Sequence, residues 1–189
     1  MTVRAESVDL SDEELIKRIC ETNDTYLFGV LYDRYVSVVY SKCISFTNSK
    51  EVAQDLTHDI FVKLFVKLKS FKGDSKFSTW LYTFTYNHCV NFLQRELKDD
   101  KKTYSVDENV EGNLSDDISD QEIFELKAEK LNKAIQMLNP NERMILLMKY
   151  QDDISIRDIA IAMELGESAV KMRLSRAKAN LINLYNEIQ

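Results

Sequence analysis

SIRDIAIAMELGESAVKMRLSRAKANLINL, residues 155–184, holds two helix patterns separated by a turn short enough only for a tight corner. Ser155 can cap the first with its hydroxyl, and Asp158 falls in the first turn. Ile156, Ile159, Ala160 and Met163 recur at helical spacing. Gly166 breaks the pattern, and the second helix runs from about Glu167. On a wheel of about 100° per residue, Val170, Leu174, Ala177 and Leu181 fall on one narrow stripe that must face a core. Ser168, Ala169, Met172, Ser175 and Arg176 fall on the opposite face. Lys171 and Lys178 flank that face on one side and Arg173 on the other.

A helix of this kind fits a DNA major groove, with small and polar side chains toward base edges and cations toward phosphates on both walls. An amphipathic surface helix with solvated cations carries the same pattern. The remainder of the chain bears on the choice. Its 189 residues allow one medium domain or two small ones, and 4 Gly and 1 Pro against 44% hydrophobic residues predict an all-α protein. No apolar run reaches the roughly 18 to 20 residues of a membrane span, and the start lacks a basic-then-apolar signal pattern, so a cytoplasmic location is expected. Cys20, Cys43 and Cys89 are scattered and odd in number, as suits reduced thiols, and His58 and His88 offer no metal spacing. Neither metal nor cofactor is expected.

The net charge of −6 is unevenly spread. Residues 1–24 carry 3 positive and 7 negative charges, and residues 97–124 carry 3 and 9, while the stretches between and after are mildly basic or near neutral. This predicts an N-terminal arm and short helix (1–24), a helical domain (25–96), an acidic flexible linker (97–122) and a second helical domain (123–189). Neither domain carries the excess of cations that tight, unaided DNA binding needs.

In chain order, Ser11 and Glu14 form a capping-box pattern ahead of Leu15, Ile16 and Ile19. A long helix is expected from Thr25, with Leu27, Leu31, Tyr35, Val38 and Val39 on one side. Asn48-Ser49-Lys50-Glu51 reads as a second capping box. In the helix that it opens, Val52, Leu56, Ile60, Leu64 and Leu68 make the inner stripe, and Gln54, Asp55, His58 and Asp59 sit together outside. Those charges read either as a solvated face or as a docking face for a basic partner. The loop 71–76 precedes FSTWLYTFTYNHCVNFLQRE, whose aromatics at this density are expected mostly in the core. Aromatics, amides and Lys76 beside a small loop are also what single-stranded DNA recognition uses. After the linker, Leu126, Leu131, Ala134, Ile135 and Leu138 are periodic, and Asn139-Pro140-Asn141-Glu142 restarts a helix with Asn as cap and Pro at its first position.

Three blocks, AQDLTHDIFVKLF (53–65), FSTWLYTFTYNHCVNFLQR (77–95) and LNPNERMILLMKYQDDISIRDIAIAMELGESAVKMRLSRAK (138–178), together resemble the extracytoplasmic-function sigma factors, promoter-recognition subunits of bacterial RNA polymerase. The resemblance implies a binding protein without chemistry of its own and without a small-molecule substrate. Its partners would be core RNA polymerase (through the largest-subunit clamp and the flap regions), promoter DNA and a membrane-anchored anti-sigma factor. Gln54, Asp55, His58 and Asp59 would meet the polymerase clamp. Lys72, Gly73, Asp74, Ser75, Lys76, Ser78, Thr79, Trp80, Tyr86, Asn87 and Asn91 would serve the downstream (minus-ten) element, where a flipped base is captured and the strands are held open. Ser168, Ala169, Lys171, Met172, Arg173, Arg176 and Lys178 would serve the upstream (minus-thirty-five) element. Tyr86 and Asn91 stand where the family often has Arg and Asp, and Glu164 stands where the turn usually has Gly. A lone helix-turn-helix regulator accounts for residues 138–178 but leaves the first two blocks unexplained. A helical adaptor that keeps the fold without promoter recognition is the other alternative.

Overall fold

With 4 glycines in 189 residues, the chain stops three of its helices with non-glycine residues in the left-handed backbone region, Asn23, Asn48 and Glu164. The structure, a computed structural model, describes residues 10–99 (side chains to 96), 120, 123 and 126–188, and all regular elements among these are helical. The first unit, Met1–His88, contains α1 (Asp12–Thr22), α2 (Thr25–Thr47), α3 (Lys50–Lys67), a 3-10 turn (Leu68–Ser70) and the start of α4 (Phe77–Asp99). The second, Cys89–Gln189, contains the rest of α4, then α5 (Ala128–Met137), α6 (Pro140–Leu146), a π turn (Leu147–Gln151), α7 (Ile156–Ala162) and α8 (Glu167–Glu187). The division thus falls inside α4, before residue 96, and the helix itself continues past 96 to Asp99. Apart from that end of α4 and Asp120, the acidic stretch 97–122 lies outside the described residues.

Two-residue corners join the first three helices. Asn23 (φ 52°) ends α1 by donating its backbone N–H to Ile19 O at 2.8 Å, and Asp24 starts α2 by accepting from Tyr26 N at 2.8 Å and Leu27 N at 3.3 Å. Asn48 (φ 55°) then ends α2 on Ile44 O, and Ser49 caps α3 by accepting from Val52 N at 3.3 Å. Asparagine enters the left-handed region at low cost, and short oxygen-bearing side chains make good N-caps. The expected capping box at Asn48–Glu51 is therefore divided: Asn48 closes one helix and Ser49 opens the next. The box at Ser11–Glu14 forms as expected.

α2 and α3 make the main packing of the first unit, with Leu31, Val39, Phe46, Ile60 and Leu64 all but inaccessible to solvent. Lys42 is buried with them, its ammonium 3.7 Å from the Tyr82 ring centre and 5.5 Å from that of Tyr86, so aromatic faces take the place of water around the charge. α1 is pinned to α2 by Arg34, which donates to Asp12 Oδ1 at 2.8 Å and Leu10 O at 2.7 Å, and by the Tyr35 hydroxyl, which donates to Asp12 Oδ2. Burial and this acceptor push the Tyr35 phenol well up from its ordinary value.

In the second unit α8 packs on α5, α6 and α7. Arg143, 5% exposed, donates from Nε to Ile135 O at 3.0 Å, and from its two other nitrogens to Gln136 Oε1 at 2.9 Å, to Gln136 O and to Leu138 O at 3.3 Å. A buried guanidinium thus satisfies the open carbonyls at the end of α5, where the helix dipole favours a cation. Burial pulls its pKa down to about 10, still far above neutral, so the charge persists. At the end of α7, Glu164 takes φ 54°, its N–H donating to Ile161 O at 3.2 Å while Leu165 N donates to Ala160 O at 2.9 Å. This is a Schellman end with glutamate in the place that favours glycine.

Two stability changes follow. Arg143→Met removes the guanidinium's hydrogen bonds to three carbonyls at the end of α5, one of them on buried Leu138, and should lower the unfolding free energy by on the order of 2–4 kcal/mol in urea titration. Glu164→Gly relieves the left-handed strain and should raise the thermal midpoint, whereas Glu164→Val should lower it.

Candidate nucleic-acid interface and docking face

The wheel drawn for α8 agrees with its packing. Val170, Leu174, Ala177 and Leu181 are all buried. Ser168, Lys171, Met172, Arg173 and Arg176 are exposed, while Ala169 and Ser175 are partly covered. Ser155 caps α7 by accepting from Asp158 N at 3.1 Å, and its hydroxyl donates to Asp158 Oδ2 at 2.7 Å. The corner is therefore anchored before α7 and at Glu164 after it.

Lys178 departs from the expectation of a phosphate-facing cation. Its side chain is only 12% exposed, and its ammonium lies 3.3 Å from Asp120 Oδ1. The same oxygen accepts from the Tyr150 hydroxyl at 2.6 Å. The reason lies in the helical angle, because Lys178 is one step round from the buried stripe and its aliphatic stem follows that stripe inward. The Tyr150 hydrogen bond, followed by Lys178, holds the Asp120 carboxyl below its ordinary value. Tyr150 sits on the π turn, and burial together with this contact raises its phenol.

In the first unit, Lys72, Gly73, Asp74 and Lys76 of the loop are exposed and Ser75 is partly covered. Gly73 has φ 78°, which accounts for glycine there. On α4, Asn87 and Asn91 are exposed one turn apart, and Ser78 and Trp80 are partly exposed. Thr79 and Tyr86, both expected at the DNA surface, are instead buried, at 8% and 0% exposure. They lie on the inner stripe with Thr83 and Val90, and the Tyr86 ring packs 5.9 Å from Phe46 with Lys42 nearby. The outer stripe carries Trp80, Phe84 and His88 as a ladder. Trp80 stacks on Phe84 at 5.5 Å and 12°, Phe84 meets His88 edge-on at 4.7 Å, and Phe71 reaches Trp80 at 5.5 Å. Phe84 and His88 were not among the expected site residues, although they follow Trp80 in successive four-residue steps. Of the aromatics expected mostly in the core, Phe77 and Tyr86 are buried, while Trp80, Tyr82, Phe84 and Phe92 keep partial exposure.

On α3, Gln54, Asp55, His58 and Asp59 are all exposed on one side. Their face continues into Val62 and Val66, which are 57% and 74% exposed. Two β-branched apolar side chains in water beyond a cluster of acids make a surface suited to a partner with both cations and an apolar contact. Among the described residues no cluster of His, Cys, Asp or Glu could hold a metal ion, and no helix is long and apolar enough to cross a membrane.

Comparison with known proteins gives two family matches along the chain. Residues 31–98 match the family described as Sigma-70 region 2, and residues 128–181 match Sigma-70, region 4. The chain is 29% identical over 184 residues to the ECF RNA polymerase sigma-E factor of Escherichia coli strain K12, covering 94% of this chain and 95% of that protein. It is also 29% identical over 174 residues to the RNA polymerase sigma-H factor of Pseudomonas aeruginosa, covering 88% and 90%. Among solved structures it is similar to CnrH in complex with the cytosolic domain of CnrY, with a TM-score of 0.61 and 18% identity over 94% of this chain and 99% of that one. The sigma factor RpoE of Bartonella quintana, in complex with the anti-sigma factor NepR, gives a TM-score of 0.58 and 21% identity over 86% and 98%. At these identities the structures show the shared fold.

Asp120 provides a check on the described geometry. Its folded-state pKa is depressed, so its stabilising contribution is present above the unfolded value and is lost as pH falls through the folded one. An NMR titration should find the Asp120 carboxyl below the ordinary aspartate range, and Tyr150→Phe should move it back up.

Proposed function

Because the chain belongs to the sigma-70 family, as a sigma factor of the extracytoplasmic-function type, we propose that its separate faces divide promoter recognition among themselves. The α3 face of Gln54, Asp55, His58 and Asp59, extended by Val62 and Val66, docks on the clamp of the polymerase's largest subunit. The loop Lys72–Lys76 with Ser78, Trp80, Asn87 and Asn91 receives an unpaired base of the downstream element. The Trp80–Phe84–His88 ladder offers stacking surface to the opened strand. The α8 face of Ser168, Ala169, Lys171, Met172, Arg173 and Arg176 reads the upstream element in the major groove, and Lys178 joins it by exchanging Asp120 for a phosphate. The protein works in the cytoplasm, where polymerase and promoter meet, and phosphodiester synthesis belongs to the polymerase core. The Bartonella quintana neighbour, solved in complex with an anti-sigma factor, supports control by an anti-sigma protein, whose contact we place on these faces and whose anchor we place at the membrane.

The observation that carries this reading is the pairing, in one chain, of a basic face on α8 with an acidic and apolar face on α3. A regulator that binds duplex DNA alone has no use for the second. In a transcription assay with core polymerase and a promoter library, the wild-type chain should select a two-element promoter only when core is present. Asp55→Lys, a charge reversal on an exposed site, should abolish core binding and transcription while leaving the thermal midpoint unchanged. Trp80→Ala with Phe84→Ala should slow strand opening, read by permanganate reactivity of unpaired thymines, more than it weakens closed-complex binding. Selection of one duplex site by the chain alone, indifferent to core, would instead make it an ordinary regulator.

A further inference from the structure

Met172 stands out on the DNA-reading face of α8. It is 54% exposed, and the exposed side chains around it on that helix, Ser168, Lys171, Arg173 and Arg176, are all polar or charged. Isolated exposed apolar residues are common on protein surfaces. The angular position of this one is informative, since it lies almost opposite Val170 and the buried stripe, at the centre of the exposed face. Ser168 and Ala169 lie one turn before it and Arg176 one turn after.

The major-groove edge of a base pair offers hydrogen-bond donors, acceptors and one apolar group, the thymine 5-methyl. A thioether is at most a weak acceptor and cannot donate, so against a polar edge it would strip water from base atoms without replacing those hydrogen bonds. Against a methyl group it removes two apolar surfaces from water together, and an unbranched chain with three rotatable bonds can follow that surface. The flanking Ser168 and Arg176 supply the donors that neighbouring polar edges need. We propose that Met172 reads the 5-methyl group of a thymine in the upstream promoter element, making it a specificity-determining residue; this rests on the promoter-reading assignment of α8 above. The methyl should be worth about four-fold in binding, as expected for burial of one methyl-sized group.

The test uses holoenzyme assembled from core polymerase and the full chain. An upstream element is first selected from a randomised library, and each thymine in it, on either strand, is then replaced singly by deoxyuridine, which removes only the methyl. The wild-type holoenzyme should lose about four-fold affinity at one position, and Met172→Ala and Met172→Gln should bind the thymine and uracil forms of that position equally. The inference is overturned if the selected element contains no thymine, if no uracil substitution weakens wild-type binding, or if both variants keep the wild-type uracil penalty. If scrambling the whole upstream element leaves holoenzyme binding unchanged, the assignment of α8 itself fails, which separates that failure from the failure of the methyl contact.

Discussion

Burial of Val170, Leu174, Ala177 and Leu181 is the constraint on which the second unit depends. α5, α6 and α7 all pack on α8, so the stripe is at once the centre of that unit and the device that orients its opposite face. A helix held along one side has little freedom to rotate, and a rotation of one residue step, about 100°, would put a core leucine in water. Such locking suits a helix that presents side chains to a groove, where the register of those side chains carries the information.

The first unit reaches a comparable result through its helix ends. The Asn23–Asp24 and Asn48–Ser49 corners stop one helix and start the next within two residues, which leaves little loop entropy to lose on folding. Because α3 begins immediately, the phase of its acidic face is set by the corner as well as by its buried stripe. Lys42 contributes from inside by filling the space beneath Tyr82 and Tyr86 with an alkyl stem and closing it with a charge over two rings.

The all-α class, the buried stripe of α8 and the exposed face of α3 were legible in the sequence because each has polar and apolar residues on opposite sides of a helix. α4 lacks that contrast. Aromatics occur on several of its sides, so periodicity could not tell buried Tyr86 from exposed Asn87 beside it, and the outward ladder through Phe84 and His88 was missed. The inward turn of Lys178 was not legible for another reason: a long side chain near the edge of a stripe can turn either way, and its partner Asp120 is 58 residues distant in sequence. Asn48 was read as a beginning because asparagine favours both helix starts and left-handed helix ends. In all of these cases the deciding fact is tertiary or conformational, and pattern alone does not contain it.

The Asp120–Lys178 contact changes what an encounter with an anion means at that lysine. If α8 docks on DNA as proposed, an incoming phosphate would meet at this ammonium a carboxylate already held by the chain, not bulk water. A small free anion must displace this resident partner for a single contact, while a duplex arrives with a row of phosphates for the neighbouring cations as well. In the proposed complex the exchange would act as a filter that favours extended polyanions over isolated ones. Any phosphate that Lys178 took would still release counterions condensed on the DNA, so the cost of the exchange would fall on affinity, through the lost Asp120 contact, and not on the salt dependence.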